Sequence, residues 1–328
     1  MSDRKRVGVV LFQLGGPDTP DAIEPFLYNL FCDPDIINFP GAWLARRPLA
    51  WWIAHRRARA VAHHYAAIGG RSPIRLLTER QARALERALA NRCDAKCFVA
   101  MRYWHPLTRE AAAAVRVTQL DDLVLLPLYP QYSLATTASS MKEWTRLYRP
   151  AGANPPAVHA VKDFYDHPLY IQALCERIAA TLRHFADPAG IHFVFSAHGL
   201  PISLVERGDP YPQQVQETVR LVLERGGWPY EHTLCYQSRV GRQRWLEPSL
   251  TLTIERLARE GKKRLLLIPL SFVTEHIETL HEINIEAREE ALHLGVEQFQ
   301  LMPALGDSPR FIAALADLVL RAAGINHS

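Results

Sequence analysis

Two stretches far apart in the chain carry nearly the same pattern, and this doubling limits the fold more than any other feature. DDLVLLPLYPQYS, Asp121 to Ser133, resembles KRLLLIPLSFVTE, Lys263 to Glu275. VLFQLGGP near the start resembles FVFSAHGLP, Phe193 to Pro201, and CFVAMRY sits about where TLCYQSR sits in the other half. Each is an apolar, β-branched run that stops abruptly at polar residues, the mark of a buried strand. Strand-like runs fall at Val7–Leu14, Cys97–Met101, Leu123–Tyr129, His192–Phe195, Thr233–Tyr236 and Arg264–Leu270. Between them lie helical patterns such as Thr78–Ala90 and Pro168–Phe185, with apolar residues at three- and four-residue steps. Alternating strand and helix predicts an α/β protein with mostly parallel sheets. The doubling predicts two similar halves joined in the Pro- and Ala-rich stretch Arg149–Val158, with a cleft between them. A last helical pattern, Arg310–Ala323, is free to pack back on either half.

The bulk properties agree with two ordinary domains. The chain has 328 residues, 48% hydrophobic and 22% charged, which marks a globular protein and not a disordered one. A net charge of +4 excludes a strongly nucleic-acid-like balance, while leaving room for a local basic patch. Cys32, Cys93, Cys97, Cys175 and Cys235 are odd in number and form no disulfide framework, which suggests a reducing compartment. Cys93 and Cys97 lack a second close pair and read as free thiols. The start, MSDRKRVGVVLFQLGGP, mimics a signal peptide, but its apolar run is short and ends in Gly-Gly-Pro without a small-residue cleavage site. It reads as a first strand. No apolar stretch approaches the ~20 residues of a membrane span, so the expected location is the cytoplasm.

Function should lie where strands end, because open parallel sheets bind ligands beyond the carboxyl ends of their strands. In HFVFSAHGLP a histidine, His198, stands where the run Phe193–Phe195 gives way to a loop. In PLSFVTEHIETLHEINIEAREE a strand ending near Phe272 is followed by Thr274, a plausible N-cap, and then by a helix. Glu275, Glu278, Glu282 and Glu286 share one face of that helix, with His276 at its start. Such a stripe is either a solvated acidic face or a functional one; its place after a buried strand favours function. An imidazole and a carboxylate facing one another suit a labile first-row divalent metal, or proton exchange near neutral pH. Other strand ends carry Arg102, Tyr103 and His105, then Tyr129, Tyr132 and Ser133, then Arg239 and Trp245. Arginine and hydroxyl groups hold carboxylates and tryptophan offers a flat face, so together they describe a large, flat dicarboxylate.

One segment breaks the α/β pattern. Gly41 to Tyr65 interleaves Trp43, Leu44, Leu49, Trp51, Trp52 and Ile53 with Arg46, Arg47, Arg56, Arg57 and Arg59. Two readings stay open: a membrane interface or flat anionic ligand, or a helix with its tryptophans in the core and its arginines solvated.

These residues resemble the ferrochelatase family, which inserts ferrous iron into a porphyrin. The matching motifs are LGGPDT at 14–19, YAAIGGRSPIRLLT at 65–78, FVAMRYWHPLT at 98–108, PLYPQYS at 127–133, FSAHGLPISLVERGDPYP at 195–212, CYQSRVGRQRWLEP at 235–248 and PLSFVTEHIETLHEI at 269–283. The resemblance implies two Rossmann-like domains, each a parallel four-stranded sheet flanked by helices. The expected boundaries are 1–155, with a porphyrin lip at about 41–65; 156–307, carrying His198 and Glu278; and a C-terminal helix over 308–328. It makes His198 the catalytic histidine and Glu278 its acidic partner, together the metal site. Leu14, Tyr65, Ser72, Arg102, Tyr103 and Trp245 fall on porphyrin-binding positions. Glu275, His276 and Glu282 fall on a conduit for protons or metal, and the lip on a region that touches the bilayer in membrane-associated relatives.

The implied activity is that of a lyase-class metal chelatase that forms protohaem from protoporphyrin IX and Fe2+, by ring distortion, pyrrole deprotonation and metal transfer. Alternatives are a coproporphyrin III ferrochelatase or cobalt chelatase of the same fold, and a porphyrin or haem carrier without catalysis. Leu14 stands where the coproporphyrin branch typically has tyrosine, which favours protoporphyrin. Glu275 stands where many relatives have aspartate, keeping the charge. With no cysteine after Cys235 in a chain ending at Ser328, no [2Fe–2S] cluster is expected, and a monomer is expected rather than a dimer. Porphyrin and ferrous iron are the expected partners, with peripheral membrane contact through the lip and no nucleic acid.

Overall fold

The computed structural model describes residues 4–34, 42–150, 154–239 and 243–325, with the side chains of 42–44 outside that description. The chain divides into two units: Met1–Tyr129 with Leu134–Asp163 and Leu315–Ser328, and Pro130–Ser133 with Phe164–Ala314.

The first unit holds β1 (Arg6–Gln13), β2 (Asp94–Met101), β3 (Asp122–Pro127) and β4 (Ala157–Ala160), in the order β2-β1-β3-β4. The second holds β5 (Ile191–His198), β6 (His232–Gln237), β7 (Arg264–Pro269) and β8 (Gln298–Leu301), in the order β6-β5-β7-β8. All pairings are parallel. Parallel neighbours need long crossovers, supplied by helices such as Ile74–Leu89 and Thr108–Arg116 in the first unit and Tyr211–Gly226 and Leu250–Arg259 in the second. Helices on the faces leave the central strands dry, so β1, β3, β5 and β7 read as nearly unbroken apolar runs. In the first unit Val10, Phe12 and Leu125 pack with Trp144 and Tyr148; in the second Val194, Leu265 and Leu267 pack with Ile254, Leu257 and Phe299. Twofold use of a parallel sheet is what the repeated sequence pattern implies, and four strands in each is what the family resemblance implies.

Three expectations change. The stretch Arg149–Val158 is not wholly a joint: β4 begins at Ala157, and the first unit continues to Asp163. Neither β4 nor β8 has a run long or apolar enough to announce itself, since each is a four-residue edge strand with little buried surface. The acidic segment is not an α-helix capped by Thr274. Thr274 to His276 form a turn, and Glu278–Ala287 winds as a π-helix before the α-helix Arg288–His293. The capping hydroxyl is that of Thr279, which accepts the His276 N–H at 3.1 Å.

The helix Ala42–Ala67 covers the Trp- and Arg-rich segment, and it bears on where that segment's tryptophans lie where side chains are described. Ala50 and Ala54 are buried, whereas Trp51 is 56% exposed and Trp52 51%. The helix packs against Ile23–Phe31, and the tryptophans lie outside, Trp51 stacked on His55 and Arg56 over Trp52. The reading that buries these tryptophans in the core therefore fails; Trp43 and Leu44 lie outside the described side chains.

Candidate active site

In the second unit the chemistry gathers where β5, β6 and β7 end. His198 is the last residue of β5, paired with Gln237 at the end of β6, so the strand carries it further than the sequence suggested. Gly199 follows because no side chain fits there: a Cβ would stand 2.8 Å from the Gln237 carbonyl and 3.2 Å from the Trp245 ring. From the π-helix, Glu278 brings one carboxylate oxygen to 3.4 Å from His198 Nδ1 and 3.7 Å from His276 Nε2. Both nitrogens are buried, and neither has a hydrogen-bond partner. His276 Nδ1 lies 3.2 Å from the Thr274 carbonyl, which only accepts, so Nδ1 donates there and Nε2 faces Glu278. Phe272 packs against both imidazoles, at 5.9 Å from His198 and 3.9 Å from His276 between ring centres. Two nitrogens flanking one carboxylate oxygen, with an aromatic wall, suit a shared proton, and the His198–Glu278 pair alone offers a divalent ion two ligands.

Ser238 joins this group, and nothing in the sequence singled it out. Its hydroxyl lies 2.5 Å from one Glu282 oxygen and 3.1 Å from Glu278, and its N–H donates to the other Glu282 oxygen at 2.7 Å. Its backbone sits at φ +64, a left-handed conformation that a residue with a side chain adopts only when its surroundings enforce it. The hydroxyl has a single hydrogen and cannot donate to both carboxylates; a proton on Glu282 completes the chain Glu282–Ser238–Glu278. The electrostatics point the same way. Burial opposes ionisation of Glu278, but His198, His276 and Ser238 outweigh it and hold the carboxyl down at about 2. Burial, reinforced by the charge of Glu278, pushes Glu282 above the usual carboxylate range. Neighbouring carboxyls driven apart in this way are what acid–base chemistry requires.

Glu275 is differently employed. One oxygen accepts the Ala304 N–H at 2.6 Å and the other the Thr279 hydroxyl at 2.5 Å, so its carboxylate ties the turn to a neighbouring loop.

In the first unit the equivalent strand ends carry a fixed cation. Arg102 follows β2; its guanidinium pairs with Asp33 at 2.8 Å and donates to Ser139 at 3.1 Å. The Tyr103 hydroxyl donates to the same Asp33 oxygen at 2.6 Å, and burial keeps that phenol protonated, well above its ordinary pKa. The Asp33 side chain is 1% exposed and that of Arg102 16%, so the arginine offers part of its surface while the buried carboxylate holds both it and Tyr103. Tyr103 N–H donates to the Leu14 carbonyl, and Ser72 packs on Gly16, which brings these expected residues onto one strand-end cluster. Leu14 and Arg102 in the first unit and Trp245 in the second retain exposed surface, whereas Tyr65, Ser72 and Tyr103 are buried. Asp33 and Ser139 were missed by the sequence reading.

Comparison with known proteins places the chain in a family. The profile of the ferrochelatase family matches residues 6–323. A ferrochelatase of Citrifermentans bemidjiense is 48% identical over 97% of this chain and 99% of its own length. One of Nostoc punctiforme is 46% identical over 97% of this chain and 82% of its own length. Among solved structures, SirB from Bacillus subtilis with Fe3+ shares the fold at a TM-score of 0.56 and 12% identity, over 98% of this chain and 96% of that one. DR2241 from Deinococcus radiodurans, described as similar to chelatases, gives 0.55 at 15% identity, over 98% of this chain and 55% of that one. The chain belongs to the ferrochelatase family, lyase-class metal chelatases that insert iron into porphyrin to make haem.

Proposed function

We propose that the protein inserts Fe2+ into protoporphyrin IX with His198 and Glu278 as its reacting pair. The observation that carries this reading is the single Glu278 oxygen flanked by His198 and His276 nitrogens that nothing else occupies. A free porphyrin holds its inner pyrrole protons in a stiff, flat ring, and metal entry requires their removal and exposure of nitrogen lone pairs out of plane. Contacts along the aromatic walls can offset a ring distortion of roughly 1–5 kcal/mol. His198 accepts a pyrrole proton. Glu278, kept ionised by its neighbours, takes up the positive charge, whether of the arriving ion or of the departing proton. Ser238 and Glu282 extend that path away from the strand end, with His276 beside it. Glu275 anchors the turn that presents them.

The porphyrin-contact residues are Leu14, Arg102 and Trp245, supported by Tyr65, Ser72 and Tyr103. Leu14 in place of tyrosine supports protoporphyrin over coproporphyrin. The exposed Trp51 and Trp52, interleaved with Arg56, Arg57 and Arg59, support peripheral contact of a cytoplasmic monomer with an anionic membrane. No helix among the described residues is long and apolar enough to cross a bilayer. No four of the five cysteines stand close together in sequence, which supports function without an iron–sulfur cluster.

The test mixes the protein, protoporphyrin IX and ferrous iron without oxygen and follows the absorption spectrum. Repeated turnover to haem, faster than with coproporphyrin III or with Co2+, is the expected result. A static red-shifted complex would mean a carrier, and preference for the tetracarboxylate would overturn the substrate assignment. Flotation with anionic vesicles should be lost in a Trp51→Ser/Trp52→Ser variant whose turnover in detergent is unchanged.

A further inference from the structure

The main chain of His198 is held by groups that have no part in the chemistry described above. Pairing between β5 and β7 stops at Ser196 and Pro269, so His198 overhangs the β7 side with no ladder partner there. A buried main-chain donor or acceptor without a partner is costly, and two side chains take the missing strand's place. His198 N–H donates to Ser271 Oγ at 3.1 Å. The Tyr211 hydroxyl lies 3.0 Å from the His198 carbonyl and 2.5 Å from Ser271 Oγ.

The hydrogens in this ring have only one consistent arrangement. The His198 carbonyl can only accept, so the one Tyr211 hydrogen goes to it. The Ser271 oxygen accepts from the main-chain N–H, and its own hydrogen then goes to the Tyr211 oxygen. The result is a closed circuit, His198 N–H to Ser271 to Tyr211 to His198 C=O, with every member used once. Tyr211 and Ser271 are both buried. Tyr211 is itself fixed, since it opens the helix Tyr211–Gly226 and its N–H donates to Asp209 at 3.0 Å.

We propose that Tyr211 and Ser271 are positioning residues for His198: the closed ring they form with its main chain sets where the imidazole points relative to Glu278, and so sets the rate of insertion. This rests on His198 being the proton acceptor. It also explains why a serine lies just past β7 in a stretch that is otherwise apolar, PLSFV.

Tyr211→Phe and Ser271→Ala each open the ring without replacing a residue that meets substrate. Small misplacement of a reacting group costs up to about 100-fold in rate, so kcat should fall by about 10- to 100-fold while KM for porphyrin stays near wild type. Ser271→Thr keeps the hydroxyl and should recover most of the lost kcat. Thr181→Val is the control: its buried hydroxyl donates to the Arg177 carbonyl at 2.8 Å, so it matches the ring variants in removing a buried hydrogen bond but should leave kcat alone. If His198→Ala abolishes insertion while Tyr211→Phe and Ser271→Ala turn over normally, the ring does not position the histidine. If kcat falls only as far as a Thr181→Val protein of equal thermal stability, or if Ser271→Thr fails to recover it, the proposal is likewise overturned. If His198→Ala itself turns over normally, the proton-acceptor assignment fails first and the positioning role with it. Should Tyr211→Phe not fold, the Ser271→Ala and Ser271→Thr pair decides alone.

Discussion

The two sheets share strand order and parallel pairing, yet the ends of their central strands carry opposite kinds of chemistry. In the first unit β1 ends on Gln13, whose side-chain oxygen accepts the N–H of Leu14, and the strand beside it leads into Arg102 and Tyr103, both bound to Asp33. These groups are fixed in place: a guanidinium paired with a buried carboxylate, and a phenol that burial pushes well above its ordinary pKa. In the second unit β5 ends on His198, and the strand beside it leads into Ser238, lodged between Glu278 and Glu282. These groups are poised to exchange protons or charge. A parallel sheet fixes the place at which a ligand is met, but the side chains at that place decide whether it is held or transformed. On the function proposed above, the duplicated sheet divides the two tasks, holding in the first unit and reaction in the second.

The division can be broken most sharply at Glu278. Glu278→Gln should cut turnover by about 100- to 10,000-fold, the range expected when a general acid–base group is lost. Gln13→Ala, at the matching strand end of the other sheet, should leave kcat close to wild type. Steady-state haem formation measures both, and a large loss of kcat at Gln13 would erase the distinction. Next in size is the holding network. Asp33→Ala leaves the mostly buried Arg102 without its partner and should destabilise the protein by about 3–5 kcal/mol, read as a lower melting temperature. A melting temperature unchanged by this substitution would mean that the network holds nothing.

A smaller effect separates the two carboxylates of the second unit by pH. Glu278 is held at about 2 against an ordinary 4.5, so its stabilisation is complete above the unfolded value and lost as the pH falls through that interval. Glu278→Gln should therefore lower stability at pH 7 by on the order of 3 kcal/mol, with the difference closing toward pH 2. Glu282 is shifted the other way: its raised pKa favours the fold below the ordinary carboxylate value, and that advantage is lost as pH rises through the folded pKa. Glu282→Gln should consequently not lower stability at pH 7. Urea unfolding across the pH range would show this, and equal losses in the two variants would contradict it.

What was legible beforehand follows from the range of the interactions. The long central strands announce themselves because burial on both faces demands continuous apolar runs, and His198 and Glu278 stand out as polar residues placed just beyond such runs. The edge strands β4 and β8 are stabilised by pairing with β3 and β7, which no local pattern reveals. Thr274 fits a helix N-cap locally, but Thr279, from within the helical turn, satisfies the donor instead. Asp33, Ser238, Ser271 and Tyr211 escaped notice for a common reason. Each acts through a partner distant in sequence: Asp33 lies 70 positions from Tyr103, Ser238 lies 40 from Glu278 and Ser271 lies 73 from His198. Their residue types carry no signal until the fold brings the partners together.

The most direct test of this division of labour is a paired measurement on His198→Ala: porphyrin affinity by fluorescence quenching, and anaerobic single-turnover iron insertion by absorbance. Porphyrin affinity near that of the wild type, with insertion lost, is the predicted result. Insertion at the wild-type rate, or a loss of porphyrin affinity large enough to account for the lost turnover, would contradict it.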